Sequence, residues 1–326
     1  MTSLWASLRR NLKTILLVSG LVVVLLLVML FAEGKLLQYT VTGITEGLVY
    51  ALIALGFVLI WKSSGVANLA LGQLVLIFSW FAYAMLAQFG LPPWLGLPLV
   101  IVFALLVGWA IERLVLRPLI AQPILALIAV TLGLAFLIDG IVEVVWPQSV
   151  AALPDLFPQT TAHIGSAVVS QEYLWAGAIS LLLFALLSVY FKYHKMGIAM
   201  RATSDDQMAV QACGIPVTRI FSTSWMFACV LAAVGGVLMA SIGSINVGLT
   251  ETGLKAFSVV ILGGLESFGG AIIAGIIIGL AKNVGGGYLT PLTWPGISEV
   301  IPFIIIILVM MFKPYGLFGE ERIERI

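Results

Sequence analysis

Charge is what this chain has least of. Asp, Glu, Lys and Arg make up 10% of its 326 residues and hydrophobic side chains 61%, against roughly 25% charged and 45–50% apolar in soluble domains. A water-soluble fold is excluded. A nucleic-acid surface is excluded too, because phosphate binding needs a basic face, whereas the net charge is +1 and the basic residues are scattered among loops. Cysteine is nearly absent: Cys213 and Cys229 alone give neither a disulfide framework nor a metal spacing. His163 and His194 lie far apart in sequence, so no His-based metal site is expected. No G-x-x-x-x-G-K-[ST] stretch occurs, and the chain itself therefore binds no nucleotide through a P-loop. No nucleophile–base or metal constellation falls within one apolar run, which leaves an intramembrane enzyme without support.

What is present is a series of apolar runs of the length that crosses a bilayer, roughly 20 residues each. They fall near 12–31, 39–60, 66–88, 95–112, 124–146, 173–191, 218–241 and 300–312. The chain reads as an all-α polytopic membrane protein, a single transmembrane domain over 1–326 with about eight full spans. Arg9, Arg10 and Lys13 precede the first run, but no small-x-small cleavage site follows at "LFAEGK", so it reads as an uncleaved helix. These residues place the N-terminus in the cytoplasm, and alternation places Lys62, the Glu112/Arg113/Arg117 cluster and the segment 192–219 there as well. The loop 147–172 has no Lys or Arg and belongs outside. Trp5, Trp61, Trp94, Trp146, Trp175 and Trp294 fall near span ends, as interfacial anchors do.

The apolar stretch 254–281 needs its own treatment. A single crossing would put the basic tail, Lys313, Arg322 and Arg325, outside. A re-entrant or hairpin segment avoids this, with "GGLESFGG" (263–270) as the turn between two short arms, 254–264 and 268–281. The C-terminus is then cytoplasmic, with Lys282 an exception to the charge rule. A second glycine-interrupted stretch is "WKSSGVANLALGQ" (61–73). Irregular backbone at membrane depth must be buried in protein or line a watery cavity, and broken helices point to a substrate route. Asn68, Gln73, Gly72, Gly263, Gly264 and Glu266 are candidates for that route. Glu46, Asp139, Glu143 and Lys255 are the other ionisable residues nearest the hydrocarbon. Glu46 joins the route candidates, although snorkelling or a partner charge accounts equally for each of these four. The small residues of "AAVGGVLMASIG" (232–243) suit close helix packing.

One long polar stretch interrupts the apolar chain: "KMGIAMRATSDDQMAVQACGIPVTRI" (195–220). Ser204 with Gln207 forms a capping box, Asp205 and Asp206 favour the first helical turn, and Gly214 before Pro216 ends the helix. A helix over 204–215 is too short to stand alone in water and needs a docking surface, either its own bundle or a cytoplasmic partner. The stretch resembles the cytoplasmic coupling loop of ABC-importer permeases. With "GLVYALIALGFVLIWKSSGVANLALGQ" (47–73) and "VVILGGLESFGGAIIAGIIIGL" (259–280), the chain resembles, over 43–318, the first of the two paralogous permeases of the bacterial high-affinity branched-chain amino-acid importers. The resemblance implies a transport subunit of the inner membrane that is not an enzyme. It implies pairing with a second homologous permease, two ATPase subunits that bind ATP and Mg, and an extracytoplasmic substrate-binding protein. It assigns ATPase coupling to the segment holding Arg201, Ser204, Asp205, Asp206, Gln207, Ala209, Ala212 and Gly214. The chain departs from the family at Leu71 and Gln73, where many members carry His and Glu, and at Glu266, where a small residue is usual. A secondary transporter or channel for a small polar solute is the alternative; it has no need of a docking helix.

Overall fold

The helix Leu36–Ser64 (α1) is apolar on all its faces, and a helix of that kind belongs at the centre of a bundle. In the computed structural model, which describes residues 35–119, 122–165, 167–205, 207–294 and 296–319, α1 is the buried hub. The expected first span at 12–31, its flanking Arg9, Arg10 and Lys13, Trp5, and the tail residues Arg322 and Arg325 lie outside the described residues. The chain continues through Leu71–Tyr83 (α2), Pro93–Ala110 (α3), Ile124–Val145 (α4), Gln171–Tyr193 (α5), Lys195–Asp205 (α6), Gln207–Ala212 (α7) and Val217–Ile242 (α8). It ends with Glu251–Gly263 (α9), Phe268–Leu280 (α10), Gly286–Leu289 (α11) and Ile297–Phe312 (α12). Among the described residues seven helical stretches are long and apolar enough to cross a membrane, and α12, with 16 residues, is a shorter apolar one. The protein is an all-helical, polytopic membrane protein.

Glycines set how closely the helices approach. Gly43 and Gly47 of α1 face Gly279 and Gly275 of α10, so the two helices run antiparallel with backbones nearly in contact. A Cβ on Gly56 of α1 would lie 3.1 Å from the Ala228 carbonyl of α8, and Gly235 of α8 leaves room for Ile53 of α1. Gly236 does the same for Val75 and Ser79 of α2, so the small residues of 232–243 are packing residues. Such contact replaces the hydrophobic drive that is missing between helices in lipid. At one end of the bundle two short ribbons form: Val150–Ala151 (β1) pairs with Ile245–Asn246 (β4), and Thr161–Ile164 (β2) with Ala167–Ser170 (β3). Trp94, Trp175 and Trp294 are exposed as anchors would be, whereas Trp146 stacks on Trp80 inside the bundle.

Both glycine-interrupted stretches are breaks. α1 stops at Ser64 because Gly65 turns left-handed (φ 68°), and helix resumes only at Leu71. α9 stops at Gly263, Gly264 takes φ 102°, and α10 returns alongside α9, with Gly263 against Gly270. The hairpin has unequal arms, however. The second one is not short: it passes through a π-turn, Ala281–Gly285, into α11, and Phe268–Leu289 is a 22-residue stretch long and apolar enough to cross a membrane, with Lys282 inside it. The helix expected to start at Ser204 also differs. Ser204 and Asp205 are the last two residues of α6, Asp206 lies outside the described residues, and the next helix begins at Gln207. Ser204 is therefore not an N-cap; Met200 and Thr203 are buried in the bundle, and that packing carries the helix through Ser204 against its capping preference.

Candidate functional site

The two breaks, separated by about two hundred residues, come together. Ala67 from the first and Leu265 and Glu266 from the second line one cavity of about 420 Å³. Phe57 and Trp61 of α1, Phe257 and Ile261 of α9, Met310 of α12, and Pro314, Tyr315 and Gly319 beyond it complete its wall. The surface is aromatic and aliphatic with one carboxylate at its edge, the composition of a site for a small ligand with an apolar body. Phe57 and Phe257 are in ring contact, 5.1 Å between centroids. Trp61 is thus a lining residue and not an anchor in the lipid interface.

Behind the cavity wall the first break is held by polar contacts. Asn68 is 2% exposed; its Oδ1 accepts from the Ala70 amide at 3.0 Å, and its Nδ2 has no acceptor among the described residues. That unmet donor is the feature that keeps Asn68 among the route candidates. Thr131 of α4 donates to the Ala67 carbonyl at 3.3 Å. Gln73, one turn into α2, does not reach the cavity wall; its amide donates to Asp139 of α4 at 3.3 Å. With Trp80 on Trp146, these contacts fix α2 and α4 parallel and in register. Gly72 is packed against Thr250 and Gly253, where any Cβ would collide with backbone. Its role is close approach. Glu143 is exposed near the end of α4.

Glu46 lies elsewhere, near the opposite end of α1. It is 6% exposed and accepts from Lys282 Nζ at 2.5 Å, from Asn283 Nδ2 at 2.7 Å and from the Tyr50 hydroxyl. A carboxylate so compensated is satisfied by the protein itself. Lys282 and Glu299 were not candidates in the sequence; the signal for Lys282 was its place as the one misplaced positive charge, and nothing marked Glu299. The π-turn is what lets successive residues, Lys282 and Asn283, reach one carboxylate, and such turns often sit at functional positions.

The polar segment sits at the end of the bundle where α1 terminates. α6 packs on α1, α5 and α8. Arg201 turns back to donate to the carbonyls of Phe191 and, at 3.3 Å, Lys192, closing the last turn of α5. This is a C-capping role. α7 is different: it packs on α6 and α8 with Val210 buried, but Gln211 and Ala212 at its end and Cys213, Gly214, Ile215 and Pro216 beyond it are all exposed. Gly214 has φ 78°, and the Ile215 amide reaches back to the Val210 carbonyl at 3.2 Å, so the expected glycine stop is present. The segment holding Gln207 and Ala209 is helical, as expected.

The family described as "Branched-chain amino acid transport system / permease component" matches residues 39–310. The high-affinity branched-chain amino acid transport system permease protein LivH of Escherichia coli (strain K12) is 30% identical over 307 residues, 89% of this chain and 97% of that one. The corresponding permease protein BraD of Pseudomonas aeruginosa is 28% identical, covering 89% and 98%. Among solved structures, PsaBC from Streptococcus pneumoniae in complex with Fab aligns with a TM-score of 0.48 at 16% identity, over 90% of this chain and 96% of that one.

Proposed function

The chain belongs to the permease-component family of branched-chain amino acid transport systems, and from that premise we propose that it is the membrane-spanning subunit of an ABC importer that carries branched-chain amino acids into a bacterial cell. It catalyses no chemistry. Such a permease works with ATPase and binding-protein partners, and ATP with Mg is bound in the ATPases. A second, homologous permease completes the pore. Both termini and the 195–216 segment face the cytoplasm, in line with the distribution of Lys and Arg.

The observation that carries this reading is the exposed tip around α7. Val210 is buried, but Gln211, Ala212 and the glycine stop after them are exposed, and a short helical end that presents this much surface needs a docking partner. A cytoplasmic ATPase supplies it. The cavity between the two breaks is then a stage of the route, its apolar wall suited to an aliphatic side chain. The test is purification from membranes with affinity-tagged chain, followed by reconstitution with the co-purified subunits and a leucine-binding protein. The expected result is co-purifying ATPase and leucine uptake that requires ATP. Uptake driven by an ion gradient without any ATPase would overturn the proposal.

A further inference from the structure

Five charged side chains from four helical elements form one connected string at the open end of the α9–α10 hairpin. Glu46 of α1 pairs with Lys282 of the π-turn at 2.5 Å; Lys282 lies 3.9 Å from Glu299 in the first turn of α12; Glu299 pairs with Lys255 of α9; and Lys255 lies 3.7 Å from Glu251. The signs alternate along its length. The Lys255 side chain is 8% exposed and that of Lys282 16%, so both lysines depend on these carboxylates for compensation. At the closed end of the hairpin, the Leu317 and Phe318 amides just beyond α12 donate to the carbonyls of Leu262 at 2.8 Å and Gly263 at 3.2 Å. α12 is therefore tied to α9 at both ends, by ions at one and by backbone hydrogen bonds at the other.

Neither fastening is needed merely to hold the hairpin against α1, because the α1–α10 seam already has close glycine contacts at Gly43, Gly47, Gly275 and Gly279. What the ionic string adds is a link between α9 and α12. The residues that line the cavity lie along those same two helices and just past their ends: Phe257, Ile261 and Glu266 on one side, Met310 and Tyr315 on the other. Resting on the permease reading, we infer that Lys255 and Glu299 are positioning residues for transport: they lock α9 and α12 into one rigid body, so that both walls of the cavity move together during the cycle.

The test uses the complete transporter in liposomes, with its ATPases and binding protein. Lys255→Met and Glu299→Gln are expected to retain ATPase subunits and stimulated ATP hydrolysis while leucine uptake falls about tenfold, with Lys255→Arg recovering most of it. Full uptake by Glu299→Gln would overturn the inference. So would an assembled Lys255→Arg transporter as defective as Lys255→Met, because packing and not charge would then be at work. Should the single variants fail to assemble, Lys255→Cys/Glu299→Cys joined by a short bifunctional thiol reagent, with Cys213 and Cys229 replaced by Ser and Ala, decides the matter. A joined α9–α12 pair that still transports upholds a rigid body; one that assembles but is arrested by the cross-link overturns it. Failure of the permease reading would look different: wild type would lack ATP-dependent uptake altogether.

Discussion

Asn68 and Gln73 stand five positions apart, and the structure separates their roles. Gln73 shields a carboxylate within a span, and removing its amide leaves Asp139 with no hydrogen-bond donor among the described residues, an arrangement that costs on the order of 2.5 kcal/mol or more for a charge at bilayer depth. Gln73→Leu is therefore expected to lower the melting temperature of the purified protein in detergent, and Asp139→Asn added to it should restore much of the loss; a double-mutant coupling of about 1–3 kcal/mol is the measure. Independent, additive effects would show that the 3.3 Å contact carries no energy. Asn68 is a different case, since its Oδ1 holds the Ala70 amide while its Nδ2 has no acceptor among the described residues. Asn68→Ser keeps an acceptor for that turn. It should leave stability close to wild type and still slow leucine uptake, whereas unchanged uptake would reduce Asn68 to a turn residue.

At the scale of the element, α6 and α7 divide the polar segment between them. α6 belongs to the bundle, fastened by Arg201 to the end of α5; the end of α7 from Gln211 and the residues after it, to Pro216, belong to the surface. Ala212 is exposed, so a large side chain there meets nothing in its own chain. Ala212→Trp should leave the permease folded yet reduce the ATPase that co-purifies with it, and full ATPase recovery would mean that the tip docks on nothing. Gly214→Val, at φ 78°, forces a β-branched residue into a left-handed conformation at a cost of about 1–3 kcal/mol; the expected outcome is ATP hydrolysis that no longer drives uptake. The glycine stop at 214 was legible in sequence because only one residue type fits that backbone comfortably. The start was not, because Ser204 carries a cap signature worth at most about 2 kcal/mol, and packing of Met200 and Thr203 into the bundle carries the helix past it.

For the whole molecule, hydropathy reads the crossings well, since a bilayer imposes its thickness on each one separately. It reads their meetings poorly. Both breaks were evident from Gly65, Gly72, Gly263 and Gly264, but that Ala67 and Glu266 share a cavity is a tertiary fact with no local pattern. The pairing of Glu46 with Lys282 is likewise invisible across 236 positions, and it explains why a lysine stands where charge counting disallows one. The length of the second hairpin arm was misjudged for a related reason, because Lys282 looked like an end when it is a compensated residue inside the helix. The topology itself remains testable: cysteines at Thr290 and at Glu324 should label from opposite sides of the membrane. Labelling of both from one side would remove the hairpin arrangement, or the cytoplasmic placement of the tail.

A π-turn is also a matter of counting. The stretch Ala281–Gly285 holds one residue more than a regular helix would use, and in a helix each residue turns the following ones by about 100°. Loss of Ala281 would shorten the span by only about 1.5 Å, an amount no bilayer would notice. It would let the stretch close as regular helix, so that α11 and α12 keep their places while Lys282 and Asn283 alone are turned off the side that faces Glu46. At this point of the chain a deletion is a local rotation: it leaves the path of the helix as it was and takes away the two side chains that hold Glu46.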